Sequence, residues 1–296
     1  IFIPRKVHVH VRSIQVKYRK EQRASRQATA IMSTEMFSSA MTADVYFDAK
    51  LATMCFVGFF TLDMFFIMFG WFKNDKTGRY LSLHVVCNAV VVALSLQDTI
   101  LTYRQPAIES YMSKYTDTRA CMIIAALHLY HIVAYQPLNA VDWVHHILMI
   151  VIVLPFAYAM QPGPMLNHGC FFASGLPGGI DYVMLVCVKR GWMESINEKK
   201  YNSIIQTWIR NPGMLFHALF VWTTYIHCKG FPDMEHKVRE KTLFQTSFQA
   251  EVGVFLIIVA YFWNGIYFQA RVVDNYARKQ TKMELGGNFS KKKKKS

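Results

Sequence analysis

Between Ala120 and Val188 the chain reads ACMIIAALHLYHIVAYQPLNAVDWVHHILMIVIVLPFAYAMQPGPMLNHGCFFASGLPGGIDYVMLVCV, and it holds no Lys or Arg. A helix rises about 1.5 Å per residue, so about 20 apolar residues cross the hydrocarbon core of a bilayer. The stretch has room for three such helices. It is punctuated twice by turn chemistry, at Gln136-Pro137-Leu138-Asn139 and at Gln161-Pro162-Gly163-Pro164. Three spans joined by tight, uncharged connections account for the missing cations. The helices of a soluble bundle would carry a polar stripe at the helix period, which these segments largely lack.

Working outward, the same pattern recurs at 51–72 and 80–102 on one side and at 213–228 and 248–270 on the other. With 119–135, 142–160 and 164–188 this makes seven apolar stretches. The expected fold is an all-α, polytopic transmembrane helix bundle of about seven spans. Arg210-Asn211-Pro212-Gly213 interrupts the pattern before the sixth span, and 201–209 read as an interfacial helix leading into it. Hydrophobic residues make up 53% of the 296 and charged residues 18%, a balance that excludes disorder for the body of the chain.

The net charge of +14 sits at the two ends. Residues 1–31 carry eight basic and one acidic residue, and 271–296 carry nine and two, while the 16 basic and 16 acidic residues between them cancel. Basic tails flanking a neutral, apolar body do not make a nucleic-acid-binding domain, and no nucleic-acid partner is expected. The six cysteines are scattered through apolar stretches without metal or redox spacing and read as small buried hydrophobes.

Basic residues near the spans favour a cytosolic C-terminus, although the 1–31 segment pulls the other way. Met32-Ser33-Thr34-Glu35-Met36 reads as an initiator, and the Arg-rich residues 1–31 also fit a transit segment. The expected organisation is a basic N-terminal tail (1–49), a first span and loop (50–79), a membrane domain (80–270) and a basic cytosolic tail (271–296). Lys291 to Lys295 resemble a dilysine retrieval signal, which points to the endoplasmic reticulum. The same run is expected to attract anionic lipid, at about 1 kcal/mol per lysine.

Ionisable groups inside a bilayer are expensive, so each is a functional suspect. His128 and His131 share a helical face, and Asp142-Trp143-Val144-His145-His146 open the next span. His131 and His145 each lie seven residues from Leu138, so the hairpin places both about 10 Å from its turn. Asn167 and His168 follow, then Gly175-Leu176-Pro177-Gly178-Gly179-Ile180-Asp181-Tyr182. Pro177 is expected to kink or widen its helix near 175–180 and free backbone carbonyls. Asp181 has no cation within its span and is expected to meet a histidine of the preceding hairpin in one cavity. His145 and His146 point about 100° apart, so one of them faces inward. His84, His217 and His227 read as lone packing residues, and Asp63 and Asn88 remain without a role. The ligand spacing of a metal site is absent, so neither a metal nor a cofactor is expected.

The Asp142-Trp143-Val144-His145-His146 opening, the intramembrane Asp181-Tyr182 and the last helix Tyr261-Phe262-Trp263-Asn264-Gly265-Ile266-Tyr267 resemble a TLC domain, the family of TRAM, Lag1 and CLN8 proteins. The resemblance covers about 80–270. It implies a helical bundle around a lipid-accessible cavity and a role in membrane lipid homeostasis. His145, His146 and Asp181 would then be the reacting groups, with His131, His128, Asn167, Tyr182 and Asp142 holding an acyl-chain lipid or a sphingolipid. The ceramide synthases of this family also carry an Arg and a His-Asp pair. Here no Arg lies between 120 and 189, and Leu176-Pro177-Gly178 stands where His-Asp should be, which argues against ceramide synthase activity.

Two other classes compete with a lipid-handling protein. Buried His and Asp chains also relay protons in transporters and channels, but no inverted repeat is visible. A histidine-box lipid hydroxylase would need about three separated boxes, and His-x-x-His-His does not occur.

Overall fold

A computed structural model of the protein describes residues 45–104, 117–138, 140–160, 164–230 and 248–293, and among these there is no strand. The chain divides into two units, Ile1–Phe47 and Asp48–Ser296. Only the opening turn of a helix is described in the first unit, and everything below concerns the second. The helices are α1 (Val45–Met68), α2 (Lys76–Arg104), α3 (Arg119–Ala134), α4 (Ala140–His146), α5 (Leu154–Met160), α6 (Pro164–Cys170), α7 (Leu176–Lys189), α8 (Ser195–Ile205), α9 (Asn211–Gly230) and α10 (Phe248–Lys293). Three π-helical segments bridge neighbours without a break: Ile147–Val153 between α4 and α5, Phe171–Gly175 between α6 and α7, and Gln206–Arg210 between α8 and α9.

Among the described residues four helices are long and apolar enough to cross a membrane: Val45–Met68, Lys76–Arg104, Pro164–Lys189 and Glu251–Leu285. This is the make-up of an integral membrane protein. Two more of the expected stretches form shorter apolar helices, Arg119–Ala134, whose 16 residues rise about 24 Å, and Trp143–Tyr158. The basic segment 271–296 continues α10 as helix as far as Lys293, and the side chains of the lysine run lie outside the described residues, as does the tail 1–44.

α2 is the central rod. It packs against α3 on one side and against α6, the Phe171–Gly175 segment and α7 on another, while α9 and α10 pair with each other. Leu83, Val91, Ala120, Leu127 and Leu166 form one buried cluster, and Met165, Phe172, Met214, Val221, Val254 and Ile257 form a second. Val133, Val151, Phe255 and Phe262 stay exposed, as the outer face of a bundle in lipid requires. Gly178 and Gly179 let α7 approach α2 closely, since a Cβ on either would stand 3.2–3.3 Å from Asn88. Asn88 in turn accepts a bond from the Ser174 hydroxyl at 2.8 Å, which gives it a packing role.

Polar ties hold α1 in place. Asp63 accepts from Arg79 Nε at 2.8 Å and from the Tyr130 hydroxyl at 2.9 Å, and Arg79 Nη1 also donates to the Phe72 and Lys73 carbonyls in the α1–α2 turn. Asp48 accepts from Thr118 and Tyr158, both at 2.6 Å. Each carboxylate therefore staples α1 to the hairpin beyond it.

The helix break expected near 175–180 lies one turn earlier, as the widened Phe171–Gly175 segment. Pro177 has no N–H for the Ala173 carbonyl four residues back, and its ring presses on that same turn, so the distortion falls before the proline. Pro177 itself sits in the first turn of α7, where a missing donor is tolerated.

Candidate functional site

Five imidazoles from three helices meet in one layer. α2 contributes His84, with Tyr80 one turn before it; α3 contributes His128 and His131; α4 contributes His145 and His146. His131 Nδ1 and His146 Nε2 are 3.1 Å apart and share a hydrogen bond. The rings of His128 and His146 lie 5.3 Å apart, His128 and His145 6.1 Å, and His84 stands 6.0 Å from both His128 and His131. Tyr80 covers His131 at 4.2 Å, and Tyr182 from α7 lies 4.3 Å from His84.

The backbone fixes two of these rings. His84 Nδ1 is 2.9 Å from the Tyr80 carbonyl and His128 Nδ1 is 2.8 Å from the Ile124 carbonyl, each four residues back in its own helix. A carbonyl only accepts, so Nδ1 carries the proton in both, and Nε2 of a neutral ring presents a lone pair. His146 Nδ1 is buried without a protein partner. The cluster thus holds hydrogen-bonding capacity that the protein does not consume. Groups of this kind can accept a proton from a hydroxyl or hold a polar headgroup.

A second polar chain begins at Asp181. Its carboxylate accepts from Asn202 Nδ2 at 2.7 Å, Asn202 Oδ1 accepts from Gln206 Nε2 at 3.3 Å, and Gln206 Oε1 accepts from Arg210 Nη1 at 3.3 Å. Asn202, Gln206 and Arg210 stand four residues apart and so share a face across the α8–α9 junction. Arg210 Nη2 also donates to Asn264 Oδ1 of α10 at 3.0 Å and to the Ala173 carbonyl at 3.2 Å. That carbonyl is the one Pro177 leaves without its helical donor. The Phe268 ring connects the two groups: the Arg210 guanidinium lies 5.0 Å from its centre and the His145 ring 5.8 Å.

The structure therefore brings His128, His131, His145, His146 and Tyr182 together, with His146 as the inward member of its pair. It does not bring Asp181 to them. Adjacent residues on a helix diverge by about 100°, and because Tyr182 faces the histidines, Asp181 faces α8. Asn167 is also separate. It donates to Asp98 at 2.8 Å and lies about 20 Å along the helix from Tyr182. The side chain of Asp142 is outside the described residues.

Two readings of lone histidines are corrected. His84 is 3% exposed and belongs to the cluster. His217 pairs with His168, Nδ1 to Nδ1 at 3.1 Å with rings nearly parallel. Their isolation was an impression of the linear sequence, because the partners of both come from other helices. Asp98 is buried against Asn167. Sequence reasoning missed Tyr80, Asn202, Gln206 and Arg210. For Arg210 the signal is a cation beside an otherwise apolar run.

Among the described residues no group of three or more His, Cys, Asp or Glu side chains is arranged to hold a metal ion. A groove of about 680 Å³ runs along α1, lined by Thr53, Val57, Thr61 and Phe65 among others, none of them in the histidine layer. Neither family models, nor curated proteins, nor solved structures give a match to this chain.

Proposed function

We propose that this is a multi-pass membrane protein of TLC type, with about seven crossings, that binds or modifies an acyl-chain lipid in an internal membrane such as the endoplasmic reticulum. The observation that carries the proposal is the meeting of five histidines from α2, α3 and α4 inside a bundle whose outer face is apolar. Intramembrane ionisable groups persist where they serve a site, and here two rings are fixed through Nδ1 while His146 Nδ1 is buried without a protein partner. A hydroxyl or amide in a lipid headgroup supplies the partner that this nitrogen lacks, while the acyl chains remain in the bilayer.

The test is mass spectrometry of lipid co-purified with the full chain, paired with lipid profiles of cells lacking it. Enrichment of one acyl-chain lipid class, lost in a His128→Ala and His146→Ala double variant that still folds, is the expected result. Co-purified lipid that mirrors the bulk membrane in both proteins would overturn the reading.

The direct His131–His146 bond and the separate His168–His217 pair favour a second reading, a proton-coupled transporter. Proton flux in proteoliposomes that tracks these residues, with no lipid preference, would select it.

A further inference from the structure

Arg210 is 9% exposed, yet its contacts are all neutral: the Gln206 and Asn264 side-chain oxygens, the Ala173 carbonyl and the Phe268 ring. Arg79, the other deeply buried arginine among the described residues, has Asp63 directly on its Nε at 2.8 Å. Among the described residues Arg210 has no ion pair. Asp181 is held two amides away, through Asn202 and Gln206, and the eight residues from 202 to 210 span about 12 Å of helix. A guanidinium is always charged and offers five donors, so a cation in this position calls for an anion.

The surroundings are built for an exchange of partners. Each of the three π-helical segments gives the Arg210 site a residue: Gln206 and Arg210 from one, Ala173 from the second, and from the third Met149, whose Sδ is 3.3 Å from Asn264 Nδ2. Such widened turns are frequent at functional sites. Asn264 and Gln206 are neutral acceptors that solvate the guanidinium in the free protein and compete weakly with a carboxylate or phosphate. His145 and Arg210 both lie beside the Phe268 ring, and His145 is half-buried where His146 is covered. Exposed Ile147 and Val151 after α4, and Trp263 and Tyr267 on α10, offer the surface that a hydrocarbon tail needs.

We infer that Arg210 receives the anionic end, a carboxylate or phosphate, of the lipid that the histidine layer handles. The inference rests on the lipid-binding reading above and narrows it to anionic amphiphiles. Arg210 takes the negative charge, Phe268 bounds the site, and His145 faces the adjoining polar atoms. Asp181 holds the opposite end of the amide chain and orients Gln206 toward the guanidinium.

The experiment uses the full chain purified in a neutral detergent, with thermal unfolding and native mass spectrometry as readouts. The probes are oleate, oleyl alcohol, dioleoyl phosphatidic acid, dioleoylglycerol and inorganic phosphate. Oleate or phosphatidic acid should raise the melting temperature, whereas their uncharged counterparts and inorganic phosphate should not. Arg210→Gln should weaken the anionic lipid at least about tenfold, from the loss of one charged hydrogen bond, with Arg210→Lys in between. If Arg210→Gln does not fold, Arg210→Lys decides: weaker oleate binding with oleyl alcohol unchanged supports the inference, and no change in either overturns it. Equal binding of charged and uncharged lipids overturns the role of Arg210 and leaves lipid binding intact. No binding of any lipid overturns both, and phosphate acting as strongly as oleate reassigns Arg210 to a soluble anion.

Discussion

Replacing His84 and His145 by alanine should separate stability from function, because the two rings are held so differently. His84 is 3% exposed, donates to the Tyr80 carbonyl, and packs its ring 4.1 Å from Tyr80 and 4.3 Å from Tyr182. Removing it forfeits a hydrogen bond of about 0.5–1.5 kcal/mol and two close aromatic contacts of similar size, and it leaves a hole beside His128 and His131. His84→Ala should therefore cost about 2–4 kcal/mol of stability. His145 has ring neighbours at 5.7–6.1 Å, in His146, Phe268 and His128, and no hydrogen bond among the described residues. Its loss should cost about 1 kcal/mol or less. If His145 faces bound lipid, His145→Ala keeps its fold and loses lipid, whereas His84→Ala loses folded protein first. Unfolding in mixed micelles, followed by circular dichroism, gives the stability; mass spectrometry of the same preparations gives lipid per folded molecule. A His145→Ala protein as unstable as His84→Ala, with lipid falling in proportion, would refute the reasoning. So would a His84→Ala protein unchanged in both.

Asp63→Ala strands Arg79 in the α1–α2 contact and should destabilise the bundle by about 3–5 kcal/mol, while Asp63→Leu combined with Arg79→Met should recover most of that in an unfolding cycle. Gly213→Ala would put a Cβ 2.1 Å from the Phe172 ring and should lower stability by about 1–3 kcal/mol. Gly58→Ala meets nothing within 4 Å and should raise stability by up to about 1 kcal/mol, so the two melting temperatures should move in opposite directions. Pro177→Ala restores an N–H that competes with Arg210 for the Ala173 carbonyl, so membrane insertion should persist while anionic lipid binding changes. Unchanged lipid binding in that variant would mean that the widened turn serves packing alone.

The helical class was legible because it depends on a local property, the length of apolar runs between turn residues. The histidine layer was partly legible for the same reason. His131 and His145 sit at equal distances from one turn, and a hairpin brings such positions level. His84 was not legible, since its neighbours come from helices more than 40 residues away and nothing in its own segment marks the face that meets them. The expectation for Asp181 failed on rotation. Depth along a helix can be counted from a turn, but the face a residue presents depends on the packing of Tyr182 against α2, which the chain order does not reveal.

Pro177 and Arg210 show why the second polar chain had to be found in three dimensions. A proline within a membrane helix leaves a carbonyl that lipid cannot satisfy, so a donor must arrive from elsewhere in the protein. Here the donor is a guanidinium from the next helix, and burying it creates a second demand, for negative charge. The nearest carboxylate along the bonded chain, Asp181, answers through two amides rather than by contact. Each feature is unfavourable alone and explicable only with the others. A proline break, a buried arginine and a displaced aspartate make physical sense together if the bundle keeps a place beside Arg210 for an anion that it does not itself provide.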